Sequence, residues 1–572
     1  MTAIGWAQIA VLFILVLVCV KPLGSFMAKV FGGERTFLTP VFGPVENGIY
    51  RLCRIDPNVE MTWYTYLFAV LAVTFVGFVY LYVLLRTQQW LPLNPQGFGP
   101  MAPDLAFNTA ISFVTNTNWQ FYSGESTLSY LSQMMGLAWH NFVSAGLGIA
   151  VAIAFIRGLA RTNVKTLGNF WADLTRACLY VLLPISIVAG LALVYMGVPQ
   201  NFHPYQNVVS LEGFKQQITG GPMASQEAIK ELGTNGGGFV GQNSAAPNEN
   251  PNPFSDLFEM WLFIVIAAAL TYTFGRMVKD QRQGWALFIA MSIMWIGGVW
   301  IAYWAEAAGN PLIHQLGVLG GNMEGKDVRF GIVASALWAV STTATSCGAV
   351  NAMHDSFTAL GGLIPMVNMQ LGEIIFGGVG SGIYGKLVFV VLTVFIAGLM
   401  VGRTPEYLGK KIERKEVQLA ILFIIVTPVL VLVPTAIAAV FPTALVALTN
   451  NGPHGFSEIL YAYSSANGNN GSAFAGLGLG TNVWTNFFWN ATMGVDMLFS
   501  RYAEIIPLLA LAGILAGKRA VAESAGTFTT YSPIFVALLI GTIFIVGALV
   551  FFPADALGPI VEHLLTLQGK TF

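Results

Sequence analysis

Four short stretches rich in Gly, Asn, Thr and Ser interrupt an otherwise apolar chain: 115–120 (TNTNWQ), 233–239 (GTNGGGF), 345–351 (TSCGAVN) and 466–474 (ANGNNGSAF). Their chemistry is that of uncharged oxygen. The first offers Thr115, Asn116, Thr117, Asn118 and Gln120, and the second Thr234 and Asn235 followed by Gly236, Gly237 and Gly238. The third offers Thr345, Ser346, Cys347 and Gly348, and the fourth Asn467, Gly468, Asn469, Asn470 and Gly471. Glycine permits backbone angles that aim successive carbonyls one way, and carbonyl oxygens replacing a hydration shell suit a monovalent cation. Almost no carboxylate lies within the segments, which disfavours a Ca²⁺ or Mg²⁺ site. The asparagines either touch an ion or brace the loops, and bracing is the expected role. Cys347 is expected to be a small packing residue rather than a redox site.

Taken singly, each segment has the turn chemistry of a surface loop. Their setting argues otherwise. The chain has 572 residues, 55% hydrophobic and only 10% charged, against about 25% charged in a soluble domain. Mean hydropathy is +0.66. A bilayer core needs roughly 20 apolar residues per helix, and ten spans are expected: 4–23, 63–85, 134–156, 177–197, 256–275, 285–305, 383–402, 418–441, 493–516 and 533–552. The N-terminal apolar run, 6–20, has no basic residue before it, with Lys21 after it, so a retained helix is expected rather than a cleaved signal peptide. The four cysteines (Cys19, Cys53, Cys178, Cys347) have no CxxC spacing, so neither a zinc site, nor any other transition-metal site, nor a disulfide framework is expected. The net charge of −1 implies no nucleic-acid partner.

Loops 21–62, 157–176, 276–284, 403–417 and 517–532 hold 19 of the 27 Lys and Arg residues. The positive-inside bias puts these five in the cytoplasm and both termini outside. All four Gly/Asn segments then share the outer side, one between each pair of spans. The expected fold is all-α and polytopic: ten transmembrane helices forming four pseudosymmetric helix–pore loop–helix repeats around one central pore, plus one extra helix at each end. The units are 1–62, then repeats at 63–156, 177–275, 285–402 and 418–516, then 533–572. Short helices at 106–114, 226–232, 332–343 and 457–465 would point their C-termini, the negative ends of their dipoles, at a cation on the axis. Non-helical backbone at membrane depth requires such a buried or water-lined setting.

The wording of the segments is itself informative. TNTNWQFYSGE, LGTNGGGF, TTATSCGAVN, SSANGNNGSAFAG and GRTPEYLGKKIE (402–413) resemble, in order and spacing along essentially the whole chain, KdpA, the potassium-binding subunit of the bacterial Kdp potassium pump. The resemblance implies a potassium-transporter fold, K⁺ as the transported ion, and a location in the bacterial inner membrane. It also implies a complex with a P-type ATPase subunit, KdpB, and the small subunits KdpC and KdpF. In that family this subunit draws external K⁺ through its filter and passes it sideways through an intramembrane tunnel to the ATPase. Loops 157–176 and 403–417, basic and cytoplasmic, are the expected contacts.

The chain shows no energy source of its own. GSGIYGK (380–386) has the Gly-x4-Gly-Lys frame of a phosphate-binding loop, but Leu387 stands where Ser or Thr would hold magnesium. No nucleotide is expected there. The chain is expected to be a non-catalytic transport subunit. Glycine accounts for six of the fourteen residues of 372–385, including Gly377, Gly378, Gly380 and Gly382, so a broken helix and a gate below the filter are expected, with tight small-residue packing as the other use. Intramembrane charges are costly and mark ion paths or ion pairs: Glu373 and Asp496 are candidates for an ion path, Arg403 sits at a span end, and Arg501 and Glu504 are spaced to pair. His140 is expected to pack. A stand-alone K⁺ channel or gradient-driven transporter of the same fold is the alternative function. A scaffold or sensor whose loops bind a soluble partner is a third. Asn450→Ala, outside the segments, is expected to do little.

Overall fold

The computed structural model describes residues 1–402, 404–521 and 528–570; Arg403 lies outside the described residues. Among them, ten helices are long and apolar enough to cross a membrane. These are α1 (Ala3–Gly32), α3 (Trp63–Trp90), α5 (Ser132–Ala160), α6 (Phe170–Met196), α8 (Pro253–Met277), α9 (Gln281–Gln315), α12 (Ser381–Met400), α13 (Arg414–Val440), α15 (Val483–Gly517) and α16 (Pro533–Leu567). An amphipathic helix, α2 (Thr39–Cys53), follows α1. Between the spans lie four short helices: α4 (Pro103–Val114), α7 (Met223–Leu232), α10 (Gly331–Ala344) and α14 (Gly452–Asn467).

Every expected span and every expected short helix is present. The helices overrun their expected bounds where capping, invisible to hydropathy, sets the end. Asn482 accepts from the backbone N–H groups of Trp484 and Thr485, so α15 starts ten residues before its apolar run.

Burial separates an inner from an outer set. The most apolar 18-residue stretch is 33% buried in α3 but 89% in α5, 39% in α6 but 83% in α8, 56% in α9 but 78% in α12, and 33% in α13 but 56% in α15. In each pair the helix after the Gly/Asn segment is the inner one. Close crossings rest on small residues: a Cβ on Gly158 of α5 would stand 2.7 Å from the Ala512 carbonyl of α15. The basic loops bind one another, through Met61 N–Gly168 O (2.7 Å), Asn163 N–Lys518 O (3.1 Å) and Val521 N–Gly409 O (2.8 Å). The intervening loops do likewise, through Tyr130 Oη–His203 O (2.6 Å) and Asp355 N–Phe474 O (2.7 Å). The alternation counted in sequence is thus a physical separation of two ends.

The helix after the third segment is broken, as its glycines require. Its upper half, α11 (Ala359–Gln370), escaped the hydropathy count because Gly361, Gly362 and Pro365 dilute it. Residues 371–380 are non-helical, and α12 resumes at Ser381. Arg501 and Glu504 do not pair; among the described residues, Glu504 accepts only from Thr427 Oγ1 (3.3 Å), and the Arg501 guanidinium lies beside Gly148. Asn450 is no neutral control, because its amide donates to the buried Glu458 at 2.8 Å.

Candidate cation-binding ring

The four segments fold alike. Each short helix closes with an i→i−4 bond, from the N–H of Thr115, Gly233, Thr345 and Gly468 to the carbonyls of Ile111, Ile229, Ser341 and Ser464 (2.9–3.0 Å). Two residues on, each makes an i→i−5 bond: Thr117 to Ser112, Asn235 to Lys230, Cys347 to Thr342 and Asn470 to Ser465 (2.8–2.9 Å). The residues between, Asn116, Thr234, Ser346 and Asn469, are left-handed, which stops the helix. A second left-handed position follows at Asn118, Gly236, Gly348 and Gly471. The copies share almost no sequence identity yet have one backbone register. Asparagine, the non-glycine residue that best tolerates this conformation, occupies the second position of the first copy.

The strands close on one another in order. Asn116 Nδ2 donates to Thr234 O (2.9 Å), joining first to second. A Cβ on Gly236 would collide with Cys347 O, joining second to third. Ser346 Oγ donates to Gly468 O (3.0 Å) and Asn469 O (3.2 Å), joining third to fourth. Asn469 Nδ2 donates to Thr117 Oγ1 (2.9 Å), joining fourth to first. The carbonyls in the layer between the two left-handed positions, those of Thr117, Asn235, Cys347 and Asn470, receive no hydrogen bond from any described residue. Buried carbonyls are nearly always paired, so a layer of four unpaired ones, one per strand, leaves four oxygens free to accept.

Most asparagines brace. Asn235 Nδ2 donates to Asn116 Oδ1 (2.5 Å), and Asn470 Nδ2 to Thr342 O (3.1 Å). Gln120 Nε2 reaches Gly238 O (3.2 Å). Asn118 and Asn467 are the exceptions, buried with both amide atoms unpartnered among the described residues. Asn467 belongs to α14, one position before the ring register. Thr115, Thr345 and Gly468 end their short helices, and Gly237 packs on Asn118. Cys347 turns its thiol away from the ring, donating to Glu231 Oε2 (3.2 Å).

Below the ring, the 371–380 connection packs directly against it. Gly377 N donates to Ala344 O (2.8 Å) and Val379 N to Thr234 Oγ1 (3.0 Å). A Cβ on Gly378 would approach Ser346, one on Gly380 would strike Gly148, and one on Gly382 would strike Phe376 O. Glu373 and Asp496 are buried, and among the described residues none hydrogen-bonds their four carboxylate oxygens. The Glu373 carboxyl reaches within about 3 Å of where a Cβ on Gly468 would stand. His140 bridges two backbone carbonyls, of Gly136 (2.6 Å) and Gly77 (3.1 Å).

A family model described as the potassium-transporting ATPase A subunit, KdpA, matches residues 10–564. The chain belongs to this family. Curated relatives named potassium-transporting ATPase potassium-binding subunit include those of Mesorhizobium japonicum (59% identical, covering 100% of both chains) and Methylobacterium nodulans (60%, covering 100% of this chain and 99% of that one). The fold is that of the potassium transporter TrkH from Vibrio parahaemolyticus, at TM-score 0.50 and 14% identity, covering 89% of this chain and 98% of that one.

One group of charged residues is visible in the sequence itself. The helix α7 reads MASQEAIKEL, and Glu227, Lys230 and Glu231 stand at register positions that are uncharged in its three counterparts. Lys230 is fully buried within it, ion-paired to Glu227 (2.8 Å), Glu231 (3.6 Å) and Glu249 (2.8 Å).

Proposed function

We propose that this chain is the K⁺-selecting and K⁺-translocating subunit of an ATP-driven importer in the bacterial inner membrane. Its termini lie on the outer side, and ATP is hydrolysed by a P-type partner of the KdpB kind, with KdpC and KdpF completing the complex. The observation that carries this reading is the layer of unpaired carbonyls of Thr117, Asn235, Cys347 and Asn470 at the C-terminal ends of four short helices. The names of the relatives support K⁺ as the ion. The ring binds K⁺ from outside, and the left-handed residues keep its spacing rigid.

A lateral exit agrees with the packing below. The 371–380 connection, with Glu373 and the glycines Gly377, Gly378 and Gly380, occupies the path beneath the ring and acts as its gate. Beside it lies an apolar cavity of about 200 Å³, lined by Gly372, Ile374, Phe389 and Pro428, with Glu504 as its one acidic residue. The ion leaves by this side toward the partner. Gly236→Asp and Gly348→Asp test the filter: each places a carboxylate against the neighbouring strand, and each is expected to weaken K⁺ affinity or loosen selection against Rb⁺ and Na⁺ in the intact complex. Unchanged affinity and selectivity in both removes these loops from the filter. Full-rate K⁺ flux by this chain alone in liposomes, without ATP or partner, favours the stand-alone channel instead.

A further inference from the structure

The gap left by the broken helix is not filled by protein. The cavity of about 200 Å³ beside residues 371–380 is several times the roughly 30 Å³ that a water molecule takes up in the liquid. Its walls come from five helices: Gln370 of α11, Phe389 of α12, Phe423 and Thr427 of α13, Glu504 of α15 and Phe551 of α16. Ile421, Ile425 and Val550 also line it and are each 43–49% exposed. They stand on α13 and α16, two of the less buried spans. The mouth of the cavity therefore faces sideways at membrane depth rather than toward either aqueous end.

Carbon makes up most of this wall, and the polar groups on it favour one sign of charge. Among the described residues, the Glu504 carboxylate accepts only from Thr427 Oγ1 (3.3 Å). Gln370 donates from Nε2 to Asp555 Oδ1 (2.9 Å), while its buried Oε1 has no partner among the described residues. Buried side-chain oxygens are nearly always paired, so this one is free to accept. Gln370, Leu371 and Gly372 bring the C-terminal end of α11 to the cavity, which is the negative end of that helix's dipole. Among the described residues, no Lys, Arg or His lines the cavity. Arg501, one turn before Glu504, lies beside Gly148 instead.

A negative pole in an apolar cage calls for a cation with apolar flanks. A bare alkali ion needs oxygens on all sides to replace its water, and a mainly carbon wall makes an unpaired charge costly. An ammonium that carries its own apolar groups gives up little water on entry, and Phe389, Phe423 and Phe551 supply the aromatic rings that hold such ions. We propose that this cavity is a binding site for a lipophilic organic ammonium, which enters from the side, sets its charge against Glu504 and closes the lateral exit. K⁺ in transit passes the same wall without resting on it. The binding stands on the cavity alone, whereas the closing of the exit rests on the route proposed above.

The test applies tetraethylammonium, and its uncharged isostere 3,3-diethylpentane, to the intact purified complex. Binding is read by calorimetry or by the rise in thermal midpoint, and K⁺-stimulated ATP hydrolysis is read against each variant's own uninhibited rate. Tetraethylammonium is expected to bind at least about tenfold more tightly than the isostere and to inhibit without competing with K⁺. Glu504→Gln keeps the shape and removes the charge, and is expected to weaken tetraethylammonium about tenfold. Phe551→Leu is expected to weaken it about threefold. Val550→Trp fills the exposed mouth without touching the carboxylate, is expected to abolish binding, and decides the matter if Glu504→Gln does not assemble. No binding to the parent, or equal binding by the parent and Val550→Trp, overturns the site. Inhibition that K⁺ relieves competitively and that Glu504→Gln leaves unchanged also overturns it, by placing the ammonium at the ring. Glu504-dependent binding without inhibition upholds the site and removes the lateral exit.

Discussion

Gly348→Ala probes the ring with a single carbon. Gly348 sits at φ +88°, and a Cβ there would lie 2.9 Å from the Asn470 carbonyl carbon, 3.0 Å from Ser472 N and closer still to Asn470 O. Gly213, in the exposed turn between the strands Gln206–Val209 and Lys215–Ile218, has φ +86° and open space within 4 Å. The two substitutions therefore share their backbone strain, roughly 1–2 kcal/mol for a left-handed alanine, and differ only in the clash. The Asn470 peptide is the atom group that must yield at Gly348, adding about 1–3 kcal/mol of overpacking and displacing one of the four unpaired carbonyls. Loss of one well-placed ligand on the order of 1.4 kcal/mol corresponds to about tenfold in affinity. The assay is K⁺ titration of the intact complex, by calorimetry or ion-stimulated ATP hydrolysis, with a thermal midpoint for each variant. Gly213→Ala is expected to lower stability slightly and leave K⁺ binding alone, while Gly348→Ala lowers stability more and weakens K⁺ at least about tenfold. A folded Gly348→Ala complex that binds K⁺ as tightly as Gly213→Ala refutes a ring at Asn470.

The packing makes two further predictions. Arg157 is held bidentately by Asp173 (2.5 and 2.8 Å) in a buried site shared with Tyr66; Asp173→Ala strands the guanidinium and is expected to cost about 3–5 kcal/mol, whereas the double change Arg157→Met with Asp173→Leu costs far less, as denaturant or thermal midpoints of the complex would show. His454 lies between Asp355 and Glu562, 2.8 Å from each; burial opposes its charge, but these two carboxylates outweigh burial and push its pKa up to about 10. The stabilisation is therefore complete below about pH 6.5, the unfolded value, and is lost as pH rises through about 10, so the gap in thermal midpoint between the parent and His454→Gln is expected to be wide at pH 6 and to close by pH 11; a gap independent of pH removes the charged clasp.

Much of this architecture is legible in sequence because bilayer physics leaves few choices. Twenty apolar residues make a span, and loops bearing Lys21, Arg157 or Lys410 cannot lie on the same side as 233–239. The short helices were legible for the same reason: a polar Gly/Asn segment at membrane depth needs a helix to deliver it. Hydropathy failed at α11, where Gly361, Gly362 and Pro365 hide a helix stabilised by packing rather than propensity. It also missed the start of α15, set by the single side chain of Asn482. Spacing on one helix suggested that Arg501 and Glu504 pair, but each has neighbours on other helices, Gly148 for one and Thr427 for the other, and these decide. The contact of Asn243 with Gly236 is not legible in sequence, because Asn243 lies outside every segment.

The fourfold likeness of the strands and the singularity of what lies beneath them answer different demands. Ion recognition asks for equivalent ligands around an axis, and the shared i→i−5 bonds supply them from four dissimilar sequences. Delivery asks for one direction. Among the described residues, only the third repeat has its inner helix interrupted, at 371–380, and only there does the backbone fold back under the ring to bond Ala344 and Thr234. A pore that released ions along its axis would keep that space clear on all four sides. Here one repeat fills it, the buried carboxylate of Glu373 stands without a partner at the edge of the ring, and the neighbouring cavity opens beside the break, toward Glu504. On the proposed function, the symmetry serves to choose the ion and its breaking to hand it on, the division of labour expected of an intake subunit rather than a complete channel.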